Sequence, residues 1–134
     1  MPLVIDVSVM ASWHFPDEKS VYGDRVQNLL RNDSARLPTI WWFELRNVLL
    51  IGERRKRVDE ANNIAFLQAL SMFRLTVDAL PDELAVLTLA RRHRLSFYDA
   101  CYLELAHRER LPLATLDQAL ARAAADEGIA LIGA

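Results

Sequence analysis

Cysteine is nearly absent: Cys101 is the only one in 134 residues. An internal disulfide and a cysteine-based zinc cluster are therefore excluded, and a lone thiol suits a reducing cytoplasm. Histidine is scarce too, and His14, His93 and His107 lie apart without ligand spacing. No histidine or serine is arranged as a nucleophile or base. Long apolar runs are missing as well. Asp6, Glu44 and Arg46 break the longest stretches well short of the roughly 20 residues a membrane span needs. The N-terminus carries no basic segment before its apolar run, so no secretory signal is expected. No spacing repeats along the chain, so a solenoid is not expected, and no segment has the composition of a low-complexity linker.

What remains is an ordinary globular composition, 52% hydrophobic and 25% charged. The length suits one domain over residues 1–134 with a proper core. Net charge is −2, with 18 acids against 16 Lys and Arg. Setting four acids aside, for reasons given below, leaves 14 against 16 and a slightly basic remainder. Fourteen of the 16 cations are Arg, the residue suited to forked phosphate contacts. A polyanionic substrate is permitted by this balance, not demanded.

Short apolar runs alternate with helical patterns, the mark of an α/β domain with a parallel sheet. Strands are expected over 3–6, 36–39, 75–77, 113–115 and 129–132. Helices are expected over 8–14, 17–31, 41–55, 58–72, 81–94, 96–110 and 117–127, with Gly128 as the last helix stop. The sheet is thus roughly five-stranded and mainly parallel.

Asp6 interrupts the first strand, Leu3-Val4-Ile5-Asp6-Val7. A carboxylate in an apolar run is costly unless it is paired, protonated or bound to a cation. Glu44, Asp99 and Asp117 are similarly placed. Each has an ordinary explanation: Asp6 and Asp117 as helix N-caps, Asp99 as partner of Ser96 in a capping box, Glu44 in the first turn of its helix. Their neighbours argue otherwise. Glu53 has Lys56 and Arg57 three and four positions on, and Glu104 has His107 and Arg108, as solvated helical acids do. Glu44 has Asn47 and Val48, Asp99 has Tyr102 and Leu103, and Asp117 has Leu120 and Ala121. In a parallel sheet the carboxyl ends of strands carry functional groups, and Asp6 and Asp117 both sit there. Clustered carboxylates repel one another, and a hard divalent cation, Mg²⁺ or Mn²⁺, relieves that repulsion.

Four segments carry a family resemblance: Val4-Ile5-Asp6-Val7-Ser8, Pro38 through Trp42-Phe43-Glu44-Leu45-Arg46-Asn47-Val48-Leu49, Ser96-Phe97-Tyr98-Asp99-Ala100-Cys101-Tyr102-Leu103, and Leu113-Ala114-Thr115-Leu116-Asp117. In order and approximate spacing the chain resembles the PIN-domain ribonucleases, most closely the VapC toxins of toxin–antitoxin pairs. The resemblance implies a PIN-like three-layer α/β/α sandwich with the acids at one sheet edge. It implies a Mg²⁺- or Mn²⁺-dependent endoribonuclease, with one or two ions per site, hydrolysing RNA by metal-activated water. Carried over by position, Asp6, Glu44, Asp99 and Asp117 are the catalytic and metal-binding set. Ser8, Asn47 and Thr115 match supporting positions. The implied partners are RNA, a cognate antitoxin and a second copy in a homodimer within a larger complex, in the cytoplasm and away from membranes.

Arg46, two residues after Glu44, is the best single candidate for an RNA contact. The clusters Glu53-Arg54-Arg55-Lys56-Arg57 and Arg91-Arg92-His93-Arg94 serve equally as helix-end cations or as RNA backbone contacts. Trp41, Trp42 and Phe43 fit core or interface better than base stacking, and Trp13, His14 and Phe15 are candidates for a partner surface. Two other functions compete. Asp6 as phosphoryl acceptor in a Mg²⁺-dependent phosphatase or receiver lacks the second aspartate two residues on, where Ser8 stands, and lacks a late lysine. A PIN-fold binding module without catalysis is opposed by the intact acids.

Overall fold

The computed structural model describes residues 1–133. Strand β1, Leu3–Ile5, is wholly buried, and helix α1, Val7–His14, follows after Asp6 alone. A 3-10 turn over Pro16–Glu18 leads to helix α2, Val21–Arg31. The expected helix over 17–31 is thus split. Its second part starts where Ser20 Oγ accepts a hydrogen bond from Gly23 N at 3.2 Å, the usual way a serine sets a helix start. Strand β2, Ser34–Leu37, and helix α3, Thr39–Arg54, come next. Helix α4, Glu60–Leu70, is capped by Asp59 through Asn62 N at 2.7 Å. Strand β3, Arg74–Val77, helix α5, Glu83–His93, helix α6, Phe97–Glu109, strand β4, Leu113–Ala114, and helix α7, Gln118–Asp126, complete the chain of elements.

The four strands are parallel in the order β3-β2-β1-β4. Helices flank this sheet as an α/β sandwich. A fifth strand was expected over 129–132. That segment makes a single parallel bridge, Leu113 to Leu131, with Leu113 N donating to Ala130 O and Ile132 N to Leu113 O, both at 2.9 Å. Strand β4 is two residues long, so it offers too little ladder for a full neighbour. Among the described residues, no helix is long and apolar enough to cross a membrane.

Helix α6 is the central pillar. Every residue from Ala100 to Ala106 is buried, because α6 packs against β1, β4, α5 and α7 at once. Burying a large apolar side chain contributes about 1.5–3 kcal/mol, so Leu103 and Leu105, both almost fully buried, hold the helix and whatever it carries at its N-terminus. Glu104 was expected as a surface partner of Arg108. The pair forms at 2.7 Å, but Glu104 is buried. Arg108 also reaches Asp78 at 2.6 Å, and Asp78 receives Arg36 of β2 at 3.2 Å. These bonds satisfy a charge that would be costly alone and tie α6 to the sheet.

Glu53 does not pair with Lys56 or Arg57 as expected. Helix α3 ends at Arg54 and Lys56 has a φ of 59°, so neither cation lies on the helix face beyond Glu53. Arg57 turns to Asp17 and Glu18, both at 2.7 Å. Glu53 accepts instead from Asn63 Nδ2 at 2.7 Å.

Candidate metal centre

Asp6 stands at the junction of β1 and α1. Its backbone remains extended, at φ −71° and ψ 149°, and its N–H donates to Ala114 O at 2.9 Å. The strand ladder therefore runs one residue beyond β1 and delivers the carboxylate to the carboxyl edge of the sheet. Asp6 occupies the N-cap position, yet its side chain makes no capping bond. Its Oδ2 takes two hydroxyls, Ser8 Oγ at 2.7 Å and Thr115 Oγ1 at 2.8 Å. Those hydroxyls are in turn fixed by backbone N–H groups: Leu116 N donates to Ser8 Oγ and Asp117 N to Thr115 Oγ1. The chain thus closes the β4–α7 turn around Asp6. Burial pushes the Asp6 carboxyl above its ordinary range; the two hydroxyls pull it back, and the charge of Asp117 pushes it up again.

Glu44 lies on α3. It was expected in the first turn of its helix, but Pro38 is the N-cap and the helix starts at Thr39, which puts Glu44 in the second turn. The shift leaves it half-buried, pointing toward α6, where Tyr102 Oη donates to Glu44 Oε1 at 2.8 Å. Its pKa is raised by burial, lowered by that hydroxyl, and raised again by Asp6 and Asp99. Asp99 sits in the first turn of α6, one turn after the cap Ser96, whose Oγ accepts from Asp99 N at 3.0 Å. Burial, then Asp6, then Asp117 push Asp99 upward, while Ser96 opposes them. Asp117 is the N-cap of α7, and its Oδ1 accepts from Leu120 N at 3.0 Å.

The four acids are therefore brought together: each feels, or is felt by, the charge of at least one other. None of them takes part in an ion pair among the described residues. Other acids of this molecule, buried Glu104 among them, have found an arginine. As they stand, no three acidic, histidine or cysteine side chains among the described residues are close enough together to hold a metal ion. The side chains repel one another without sharing one ligating point. The donor set is all oxygen, as Mg²⁺ or Mn²⁺ prefers.

The remaining candidates divide. Ser8 and Thr115 belong to the cluster. Asn47 is exposed and bonds to none of the acids. Arg46 is partly buried, its guanidinium 4.2 Å above the Trp42 ring and its Nη1 donating to Trp42 O at 3.2 Å. Trp41 is core, donating to Met10 Sδ at 3.0 Å, whereas Trp42 and Phe43 are exposed. Phe15 is buried, while Trp13 and His14 are partly buried, Trp13 donating to Gly23 O at 2.7 Å and His14 bonding to Asn63 at 2.6 Å and stacking on Phe66. Cys101 is buried, and desolvation with the charges of Glu104 and Glu44 pushes its thiol up to about 11, which keeps it protonated and inert. The sequence showed Tyr102 only as a neighbour of Asp99 and gave it no role in the site. The available signal was a hydroxyl-bearing aromatic one helical turn after Asp99, on the same apolar face.

The PIN domain family model matches residues 3–126. Ribonuclease VapC3 of Pyrobaculum aerophilum is 34% identical over 132 residues, covering 90% of this chain and 93% of that protein. The crystal structure of PAE2754 from the same organism superposes with a TM-score of 0.65 at 27% identity, over 92% of this chain and 86% of that one. A toxin–antitoxin complex from Klebsiella pneumoniae shares the fold at a TM-score of 0.58 and 16% identity, with 86% of each chain covered. The chain belongs to the PIN domain family, in its VapC-type branch.

Proposed function

We propose that this chain is an endoribonuclease toxin of the VapC type, with Mg²⁺ or Mn²⁺ held by Asp6, Glu44, Asp99 and Asp117. The observation that carries this reading is Asp6: a buried carboxylate, denied any cation of the protein, held by two hydroxyls on one oxygen and repelled by its neighbour Asp117. That arrangement is costly for a structural role and apt for a ligand. The kinship with a protein named Ribonuclease VapC3 supports RNA as the substrate.

Such an ion, when bound, supplies charge neutralisation at the scissile phosphate and acidifies water. The protein's own residues do the rest. Ser8 and Thr115 fix the orientation of Asp6, and Tyr102 fixes that of Glu44. Asp99 rides on the rigid start of α6, while Asp117 is pinned by its capping bond. Preorganisation of this kind removes the cost of arranging ligands at the moment of reaction.

A cognate antitoxin, a homodimer within a larger complex and cytoplasmic residence belong to the same reading. Trp42, Phe43 and Leu50 of α3 are exposed, an apolar surface that such an assembly would cover. The test is cleavage of a panel of cellular RNAs by purified protein with Mg²⁺ and with EDTA. Wild type cutting only with the metal, while Asp6→Asn and Asp99→Asn are silent, is the expected result. Equal cutting by the mutants would remove these acids from the site. Covalent phosphate on Asp6 would favour phosphotransfer instead, and RNA binding without any cutting would favour a binding module.

A further inference from the structure

Of the cluster Arg91-Arg92-His93-Arg94 at the C-terminal end of α5, Arg92, His93 and Arg94 form one wall of a cleft of about 290 Å³. Ala119, Arg122 and Asp126 of α7 form part of the other wall. Cations at a helix end are ordinarily explained by the helix dipole, but these side chains are divided in their use. Arg92 and His93 both reach Glu127 Oε2, at 2.8 and 2.6 Å. Arg94 and Arg122 come from different elements and are exposed, and their side chains take part in no ion pair or hydrogen bond among those of the described residues. Because Glu127 is engaged by two cations, Asp126 is the one acid left on the cleft wall against two unpaired guanidiniums.

The chain path links this cleft to the acid cluster on both walls. Arg94 leads through Leu95 to the cap Ser96 and on to Asp99. Ala119 follows Asp117 by two residues on α7. Arg122 lies five residues beyond Asp117, about 7.5 Å along a helix axis. A concave surface with net positive charge focuses its field on an anion, and guanidinium forks match phosphate oxygens bidentately.

We propose that the Arg94–Arg122 cleft is a phosphate-binding subsite for the backbone of single-stranded RNA, holding a phosphate next to the segment that lies at the acids. This inference rests on the RNA reading given above. An extended polyanion is favoured over an acidic peptide because Arg94 and Arg122 each lie five residues along the chain from one of the clustered carboxylates, Asp99 and Asp117. At the cluster a phosphodiester is met by the cation those carboxylates would hold.

The test is fluorescence anisotropy of a labelled single-stranded RNA on the full chain in EDTA, which blocks cutting, across a salt series. Arg94→Gln with Arg122→Gln should bind several-fold more weakly, with a salt slope shallower by about 0.7 for each phosphate no longer neutralised. Arg31→Gln on α2, another unpaired surface arginine, should change neither. With Mg²⁺ the double variant should raise KM and leave kcat unchanged. Both arginines are exposed, so the variants should melt as wild type does, and Arg122→Glu alone should lose more affinity than Arg122→Gln. A wild-type slope in the double variant, or an equal loss in Arg31→Gln, would overturn the subsite, as would stronger competition by polyglutamate than by polyuridylate. Absent cutting with a changed slope would sink the nuclease reading and keep this one; intact cutting with an unchanged slope would do the reverse.

Discussion

Tyr102 and Glu44 are joined across the acid cluster by a 2.8 Å hydrogen bond from the phenol to Oε1. Tyr102 is completely buried, so its hydroxyl has no water to turn to and holds Glu44 in one orientation. The bond links α6, which carries Asp99, to α3, which carries Glu44. It also counters the upward push that burial and the charges of Asp6 and Asp99 exert on the Glu44 carboxyl.

Tyr102→Phe removes that bond with little change in volume. Glu44 should then hold its proton to higher pH and wander between rotamers, so Mn²⁺ affinity at neutral pH should fall several-fold. The fold should survive, with a loss of about 1 kcal/mol, the usual net worth of one hydrogen bond. Calorimetric titration of Mn²⁺ into the two proteins, with thermal melts alongside, checks both parts. Unchanged affinity would mean that Tyr102 only packs.

Asp6→Asn should abolish cutting, and its effect on stability should depend on pH. The folded pKa of Asp6 is raised above 3.8, so the folded state binds more protons than the unfolded state between 3.8 and the raised value. Stability owed to this group is therefore greatest at low pH and is lost as pH rises through the folded pKa. In EDTA, Asp6→Asn should equal or exceed wild type near pH 7 and lose that advantage toward about pH 4. Acids with lowered values, such as Asp33 and Glu127, act in the opposite sense, but they are common to both proteins and cancel in the difference. Chemical denaturation at several pH values reads it directly; an Asn variant that is unfolded at neutral pH would give Asp6 a structural role.

Gly52 in α3 makes a different kind of claim. Alanine in a helix interior is ordinarily better than glycine by about 1 kcal/mol. Here a Cβ would stand 2.6 and 2.9 Å from the Phe15 ring and 3.1 Å from Val58 Cγ2. Phe15 is buried and covered by the Arg57 guanidinium at 4.2 Å, so the ring has nowhere to go. Overpacking costs about 1–3 kcal/mol, and Gly52→Ala should therefore destabilise on balance. Denaturant midpoints should show the loss, and Phe15→Leu in the same chain should recover part of it.

The alternation of apolar runs and helical patterns made the parallel sheet legible, and the missing local cations marked Glu44, Asp99 and Asp117 as a set apart. Where reading failed, long-range contacts decided. Pro38 lay within the strand expected over 36–39 and is instead the cap from which α3 starts, two residues earlier than expected, which puts Glu44 in the second turn. Glu53 looked paired because Lys56 and Arg57 have helical spacing, but the helix had already ended. The fifth strand failed because its neighbour, Leu113–Ala114, is too short to carry it. The resemblance singled out Ser8 and Thr115 but not Tyr102, and folding sets the first two hydroxyls on Asp6 and the third on Glu44.

Asp117 has two roles that can be separated. Its Oδ1 caps α7 through Leu120 N at 3.0 Å, and its charge repels both Asp6 and Asp99. Asparagine caps a helix about as well as aspartate, whereas alanine at that position costs about 0.5–2 kcal/mol. Asp117→Asn should therefore keep wild-type stability while weakening Mn²⁺ binding and RNA cleavage. Asp117→Ala should lose both stability and binding. If Asp117→Asn bound metal and cut RNA like wild type, the capping bond would be the whole of its role, and the ligand set would reduce to Asp6, Glu44 and Asp99.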